Sequence, residues 1–139
     1  MYMGGAGEFK KFHVRDGYGI VSLLRAGIEV AFISGRRSDA TEARAVDLGV
    51  KHVVNGAGDK LSCMRELAVK LGVSASEAAF IGDDIPDISC IRWAGLGIAV
   101  NDAAGPVREA ADIITAARGG KGAVREAAEY ILRTNGDTE

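Results

Sequence analysis

Along the 139-residue chain the apolar positions change period several times, and each change marks an element. Glu8 to Val14 alternates, with Phe9, Phe12 and Val14 set against Lys10, Lys11 and His13. Gly4-Gly5-Ala6-Gly7 ahead of it is a turn signal, so the pattern predicts a β-hairpin over residues 1–15. A hairpin this short is marginal alone and should pack on something, such as another subunit. From Asp16 the spacing turns helical. Asp16 is placed to cap a helix over Tyr18–Ala26, with Ile20, Val21, Leu23 and Leu24 inward and Gly27 as its stop.

Glu29–Ile33 reads as a buried strand, Ser38 opens a helix that stops at Gly49, and His52–Val54 is a short strand. Lys60–Leu71 carries Leu61, Met64, Leu67 and Leu71 at helical spacing and closes at Gly72. Ser74-Ala75-Ser76-Glu77 has capping-box spacing and predicts a turn of helix before the strand Ala78–Ile81. A helix over Asp87–Ala94, a strand over Leu96–Val100, a short helix over Pro106–Ala110, a short strand over Asp112–Ile114 and a last helix over Ala123–Arg133 follow. Strands apolar on both faces, alternating with helices, argue for an α/β protein: a three-layer, doubly wound parallel sheet of Rossmann-like form. The reading is one domain, with the hairpin at 1–15, an α/β core at 16–134 and a frayed tail at 135–139.

Composition narrows the function classes. A net charge of −2 gives no electrostatic case for nucleic acid or an anionic membrane. No apolar run reaches membrane-spanning length and the N-terminus has no signal-peptide core, so a cytoplasmic location is expected. Cys63 and Cys90 lack metal-ligand spacing and read as buried free thiols of a reducing compartment.

Candidate chemistry gathers at strand ends, where open parallel sheets bind ligands. In Phe80-Ile81-Gly82-Asp83-Asp84-Ile85-Pro86-Asp87 an apolar run meets a glycine and then three carboxylates, with Pro86 suited to a first helical turn. Two readings are open. The acids hold Mg²⁺, which oxygen-only ligands suit, or Asp84 caps a helix through Asp87 and the others are solvated. Ser34-Gly35-Arg36 offers a hydroxyl, an approachable N–H and a guanidinium, a trio that suits a phosphate oxygen as well as a plain turn. Lys60 opens a helix, and its ammonium either reaches a phosphoryl group or is simply solvated. Arg15-Asp16-Gly17 is a cation beside a capping acid. Gly119-Gly120-Lys121-Gly122 lacks P-loop spacing and reads as a flexible tail before the last helix.

In combination these pieces resemble the haloacid dehalogenase superfamily, and within it the capless subgroup containing 3-deoxy-D-manno-octulosonate 8-phosphate phosphatase. Phe12-His13-Val14-Arg15-Asp16-Gly17, Ile33-Ser34-Gly35-Arg36, Asp59-Lys60-Leu61, Ile81 to Asp87 and Gly119 to Glu126 carry the resemblance, in order, over nearly the whole chain. It implies Mg²⁺-dependent hydrolysis of a phosphorylated sugar acid through an aspartyl-phosphate, in lipopolysaccharide biosynthesis. It further implies Asp83 as Mg²⁺ ligand with Asp84 or Asp87 in support, and Ser34 and the Gly35 N–H on phosphoryl oxygens. Lys60 neutralises charge, and Arg15 and Arg36 are substrate-side cations. The hairpin resembles a flap through which members form homo-tetramers.

One departure is large. The family's first motif, Asp-x-Asp-Gly at the end of its central strand, should precede the hairpin, and no Asp-x-Asp occurs in these residues. The expectation is a sheet without that strand and a chain without turnover of its own. Either Met1 is an internal methionine of a longer phosphatase, or the chain is a natural non-catalytic relative that binds a phosphorylated ligand or assembles with a complete partner. A response-regulator-like Mg²⁺ module is a weaker rival, since it needs an acidic pair at the end of its first strand.

Overall fold

The computed structural model describes residues 14–35, 37–119 and 121–134. The hairpin expected over the first residues, Arg36, Gly120 and the tail at 135–139 lie outside the described residues. Within them, helices and strands alternate without exception. Helix α1 (Val14–Arg25) leads to β1 (Ala31–Ser34), α2 (Asp39–Leu48), β2 (His52–Asn55) and α3 (Lys60–Leu71). Then come β3 (Ala79–Gly82), α4 (Ile88–Trp93), β4 (Leu96–Ala99), α5 (Gly105–Ala110), β5 (Ile113–Ile114) and α6 (Ala123–Thr134). Single 3₁₀ turns, Ala75–Glu77 and Ile85–Asp87, precede β3 and α4.

Local rules account for most boundaries. Gly49 and Gly72 end α2 and α3 in the left-handed region, at φ 81° and 69°, where a side chain is strained. The Ser74–Glu77 capping box forms as its spacing predicts. The first helix starts earlier than expected: Val14 and Arg15, read as hairpin, are its first residues.

Asp16 therefore lies inside α1 and does not cap it. It is buried, and its Oδ1 accepts from the backbone N–H groups of Val124 (3.1 Å) and Arg125 (3.2 Å). A carboxylate from one end of the chain thus satisfies the first turn of α6. Gly19 lets the two helices close up, since a Cβ there would stand 2.7 Å from the Arg125 Cα. The segment before α6, read as a flexible tail, is tied down at Gly119, whose N–H donates to Asp102 Oδ1 at 2.8 Å.

All strand pairs are parallel. β1 pairs with β2 (Ala31 opposite His52, Ser34 opposite Asn55), and β4 lies between β3 and β5 (Ala79 opposite Leu96, Ile98 opposite Ile113). The helices group as α1, α2 and α6 over one face and α3, α4 and α5 over the other, which is the expected three-layer architecture. Phe32 and Ile33 of β1, Phe80 of β3 and Ile98 of β4 are sealed between the helix layers with Ile20, Leu23, Ile91 and Val107. Among the described residues β1 and β3 share no ladder, so the sheet is two half-sheets. No described helix is long and apolar enough to cross a membrane.

Candidate phosphate and metal site

The carboxyl ends of β1 and β3, together with the start of α3, bring the sequence's candidate residues to one place. Asp59 caps α3 through the Ser62 N–H (3.2 Å), which fixes Lys60 as its first residue. Lys60 does not extend into solvent. It is 8% exposed and its Nζ donates to Asp87 Oδ1 at 2.7 Å. Asp87 is fully buried, and its second oxygen accepts from the N–H groups of Asp83 (3.0 Å) and Asp84 (3.1 Å). Such a pair is tolerable in the interior because the remaining lone pairs are also satisfied.

The acidic turn divides its labour. Asp84 is exposed and caps the turn, its Oδ1 accepting from the Ile85 N–H at 2.8 Å while Asp87 returns the bond to the Asp84 N–H. The capping reading of the sequence therefore holds for Asp84, and the solvated-acid reading fails for Asp87. Asp83 is half-buried, with its backbone carbonyl held by the Ala104 N–H (3.1 Å). Burial first, then the Asp87 and Asp84 carboxylates, push Asp83 up to about 6 from the ordinary 3.8, and Lys60 pulls the other way. Gly82 is required beneath this turn: a Cβ there would lie 2.6 Å from the Asp87 Cβ.

Ser34 is buried at the end of β1, its carbonyl accepting from Gly56 (2.9 Å) and Ala57 (2.8 Å). Gly35 follows, close against the lysine: a Cβ there would meet the Lys60 Cε at 3.3 Å, so the side chain would have to give by a few tenths of an ångström. Ser34, Gly35, Lys60, Asp83, Asp84 and Asp87 are thus gathered, Arg15 falls in the first turn of α1, and Arg36 is outside the described residues.

One residue escaped the sequence reading. Asn55, at the end of β2, clasps the loop after Gly35: its Oδ1 accepts from the Ser38 N–H (2.8 Å) and its Nδ2 donates to the Ser38 carbonyl (2.9 Å) and to Glu42 (2.6 Å). An asparagine before a glycine reads as a turn residue, which hides this role. Cys90 is a buried core thiol, pushed up to about 11 by burial and then by Asp87, and Cys63 is half-buried and free.

A fit for Mg²⁺ can be judged on the donor set. Among the described residues no three His, Cys, Asp or Glu side chains converge into a closed metal cage. Asp83 supplies one oxygen under electrostatic pressure from its neighbours, and Mg²⁺ commonly takes one or two carboxylates and keeps its waters. The residues present fit a partly hydrated Mg²⁺ beside a phosphate.

A parallel α/β fold with Ser-Gly, Lys and an acidic turn at adjoining strand ends defines a class of phosphoryl-handling hydrolase. The chain belongs to the haloacid dehalogenase-like hydrolases, whose family pattern matches residues 48–127. Among proteins of that family it is 44% identical to the 3-deoxy-D-manno-octulosonate 8-phosphate phosphatase of Yersinia pestis, over 95% of this chain and 71% of that one. It is 41% identical to the same phosphatase of Escherichia coli K12, over 98% of this chain and 73% of that one. The Moraxella catarrhalis enzyme, solved in complex with magnesium, phosphate and its sugar acid, superposes with a TM-score of 0.90 at 43% identity, covering 95% of this chain and 76% of that one. A cobalt-bound Haemophilus influenzae relative gives 0.88 at 41% identity, with 92% and 75% covered.

Proposed function

We propose that this chain carries the phosphate- and Mg²⁺-binding part of a phosphomonoester hydrolase acting on a phosphorylated sugar acid such as 3-deoxy-D-manno-octulosonate 8-phosphate. The observation that carries the reading is the Lys60–Asp87 pair, buried at the foot of the acidic turn and flush against Gly35. In this reading the Ser34 hydroxyl and Gly35 N–H orient the phosphoryl oxygens. The Lys60 ammonium, positioned by Asp87, offsets their charge, and Asp83 holds the metal. Asp87 positions both, through Lys60 and through the Asp83 N–H, without itself touching the metal. Mg²⁺ when bound would neutralise phosphate charge as it does in phosphoryl transfer generally.

Hydrolysis through an aspartyl-phosphate, the route the family resemblance implies, also needs a carboxylate to accept the phosphoryl group. Asp84 is committed to its cap and Asp87 to Lys60, so neither serves, and Asp83 has the metal. The 139 residues alone should therefore bind phosphate with Mg²⁺ and turn over no ester. Incubation with Mg²⁺ and either the octulosonate phosphate or p-nitrophenyl phosphate tests this. Phosphate release above background that disappears in Asp83→Asn would overturn the inactivity, and failure of phosphate to bind with Mg²⁺ would overturn the site.

A further inference from the structure

Ser34 and Gly35 open the turn after β1, and one tripeptide at the end of β2, Asn55-Gly56-Ala57, holds that turn at both ends. At its start the Ser34 carbonyl accepts from the Gly56 (2.9 Å) and Ala57 (2.8 Å) N–H groups. At its finish Ser38 gives both backbone groups to the Asn55 side chain: its N–H donates to Oδ1 at 2.8 Å, and its carbonyl accepts from Nδ2 at 2.9 Å. A carboxamide placed this way imitates a neighbouring strand, meeting the donor and the acceptor of one extended residue. Ser38 is extended accordingly, at φ −147° and ψ 123°. Its own side chain does not fix it. Ser38 stands at the N-cap of α2, where a serine usually caps, but it makes no side-chain cap, and its Oγ is buried without a partner among the described residues. Glu42 sets which way the carboxamide points. A carboxylate only accepts, so the atom 2.6 Å from Glu42 Oε2 is the Nδ2 end, and Oδ1 is left to face the Ser38 N–H.

We propose that Asn55 is a positioning residue for phosphate binding: by fixing Ser38 it presets the Gly35 backbone against Lys60. A Cβ at Gly35 would lie 3.3 Å from the Lys60 Cε and 3.8 Å from the Ala57 carbonyl oxygen, so glycine backbone and lysine stem are close neighbours. Asp87 already holds Lys60, through the 2.7 Å bond to its Nζ. Glycine has the least restricted backbone of any residue, so its conformation has to be imposed by what flanks it. Ser34 before it and Ser38 after it are the two anchors, and both lead to the Asn55-Gly56-Ala57 segment. Donors ordered before an anion arrives bind it more tightly than donors that must be gathered on binding. Asn55 meets neither phosphate nor metal in this arrangement and acts through Ser38. The inference rests on the reading of Ser34, Gly35 and Lys60 as phosphate contacts, and the experiment separates the two.

The isotope-labelled 139-residue chain is titrated with inorganic phosphate in saturating Mg²⁺, and separately with Mg²⁺ alone, while the Gly35, Lys60 and Asp83 amide resonances are followed. Asn55→Leu keeps the branched shape of the side chain and removes its donors and its acceptor. It should weaken phosphate binding at least ~tenfold and leave the Mg²⁺ affinity read at Asp83 within about twofold. Amide exchange at Ser38 should speed up in the same variant. Asn55→Ala is the smaller change should the leucine prevent folding, and it should lose phosphate affinity in the same direction. Asp16→Ala loosens the α1–α6 contact, far from this turn in the chain, and serves as the stability control; it should bind phosphate as the unaltered chain does. Unchanged phosphate affinity in the Asn55 variants would overturn the proposal. So would equal losses of phosphate and Mg²⁺ affinity, or an equal loss in Asp16→Ala, since either would make the effect one of general stability. If the unaltered chain itself binds no phosphate, the reading of the site falls and the role of Asn55 with it; if it binds and the Asn55 variants match it, the role of Asn55 alone falls.

Discussion

The Lys60–Asp87 pair permits a sharp thermodynamic test. Lys60→Met keeps the apolar stem of the side chain as far as Cε but leaves the Asp87 carboxylate, fully buried, with the Asp83 and Asp84 N–H groups as its partners among the described residues. Breaking a buried pair by removing one partner costs about 3–5 kcal/mol, a large share of the ~5–15 kcal/mol that holds a domain of this size together. Asp87→Asn should cost less, about 2–3 kcal/mol, because its carboxamide oxygen can still accept from both N–H groups. The double variant removes both charges at once, so its loss should fall short of the sum by about 1.5–3 kcal/mol, the range of directly coupled neighbours. Urea unfolding followed by Trp93 emission, in EDTA, measures all four corners of the cycle. A coupling below about 0.5 kcal/mol would mean that the 2.7 Å contact is solvated in solution, and the case for a preset Lys60 would fall with it.

Three further outcomes follow from the same geometry. Asp83 holds its proton to about 6 against 3.8 when unfolded, so the folded state binds more protons between those values and metal-free stability should fall as pH rises through that window. Asp83→Asn should flatten that fall and stabilise the metal-free protein at pH 7 by about 1 kcal/mol, the full shift being discounted for a half-exposed carboxylate. Denaturation at pH 4.5 and 7.5 checks it, and a destabilised variant refutes it. Asp16→Ala should cost about 2–3 kcal/mol by stripping the first turn of α6 of its acceptor, while Asp16→Asn should cost under about 1 kcal/mol. Amide exchange at Val124 and Arg125 should rise in the alanine variant alone. Gly97→Ala drives a methyl into the Ile91 carbonyl and should cost at least about 2 kcal/mol by thermal unfolding. Gly58→Ala, with nothing within 4 Å, should be near neutral.

Features set by neighbouring residues were legible in the sequence. Lys60 at the start of α3, the Ser74–Glu77 capping box and the glycine stops at Gly49 and Gly72 all follow from contacts within a turn or two. Features set by distant residues were not. Asp16 looked like a cap for the helix it belongs to, because nothing local says that its partner amides are Val124 and Arg125. The cap at Asp84 was open to the sequence, but nothing local says that Lys60, 27 residues away, packs against Asp87. The alternation of helix and strand gave the three layers. That β1 and β3 share no ladder among the described residues does not follow from the alternation alone.

The α1–α6 contact has a mechanical consequence. Helix α1 leads into the half-sheet of β1 and β2, and α6 leaves the half-sheet of β3, β4 and β5. With no ladder between the halves among the described residues, the Asp16 carboxylate on Val124 and Arg125 and the close approach at Gly19 form a rivet across one face, with α3 against α4 across the other. Cooperativity between the halves thus rests on these helix seams and on the core that Phe32 and Ile33 share with Phe80 and Ile98. A variant that loosens the rivet should split one unfolding transition into two, each half-sheet melting at its own temperature.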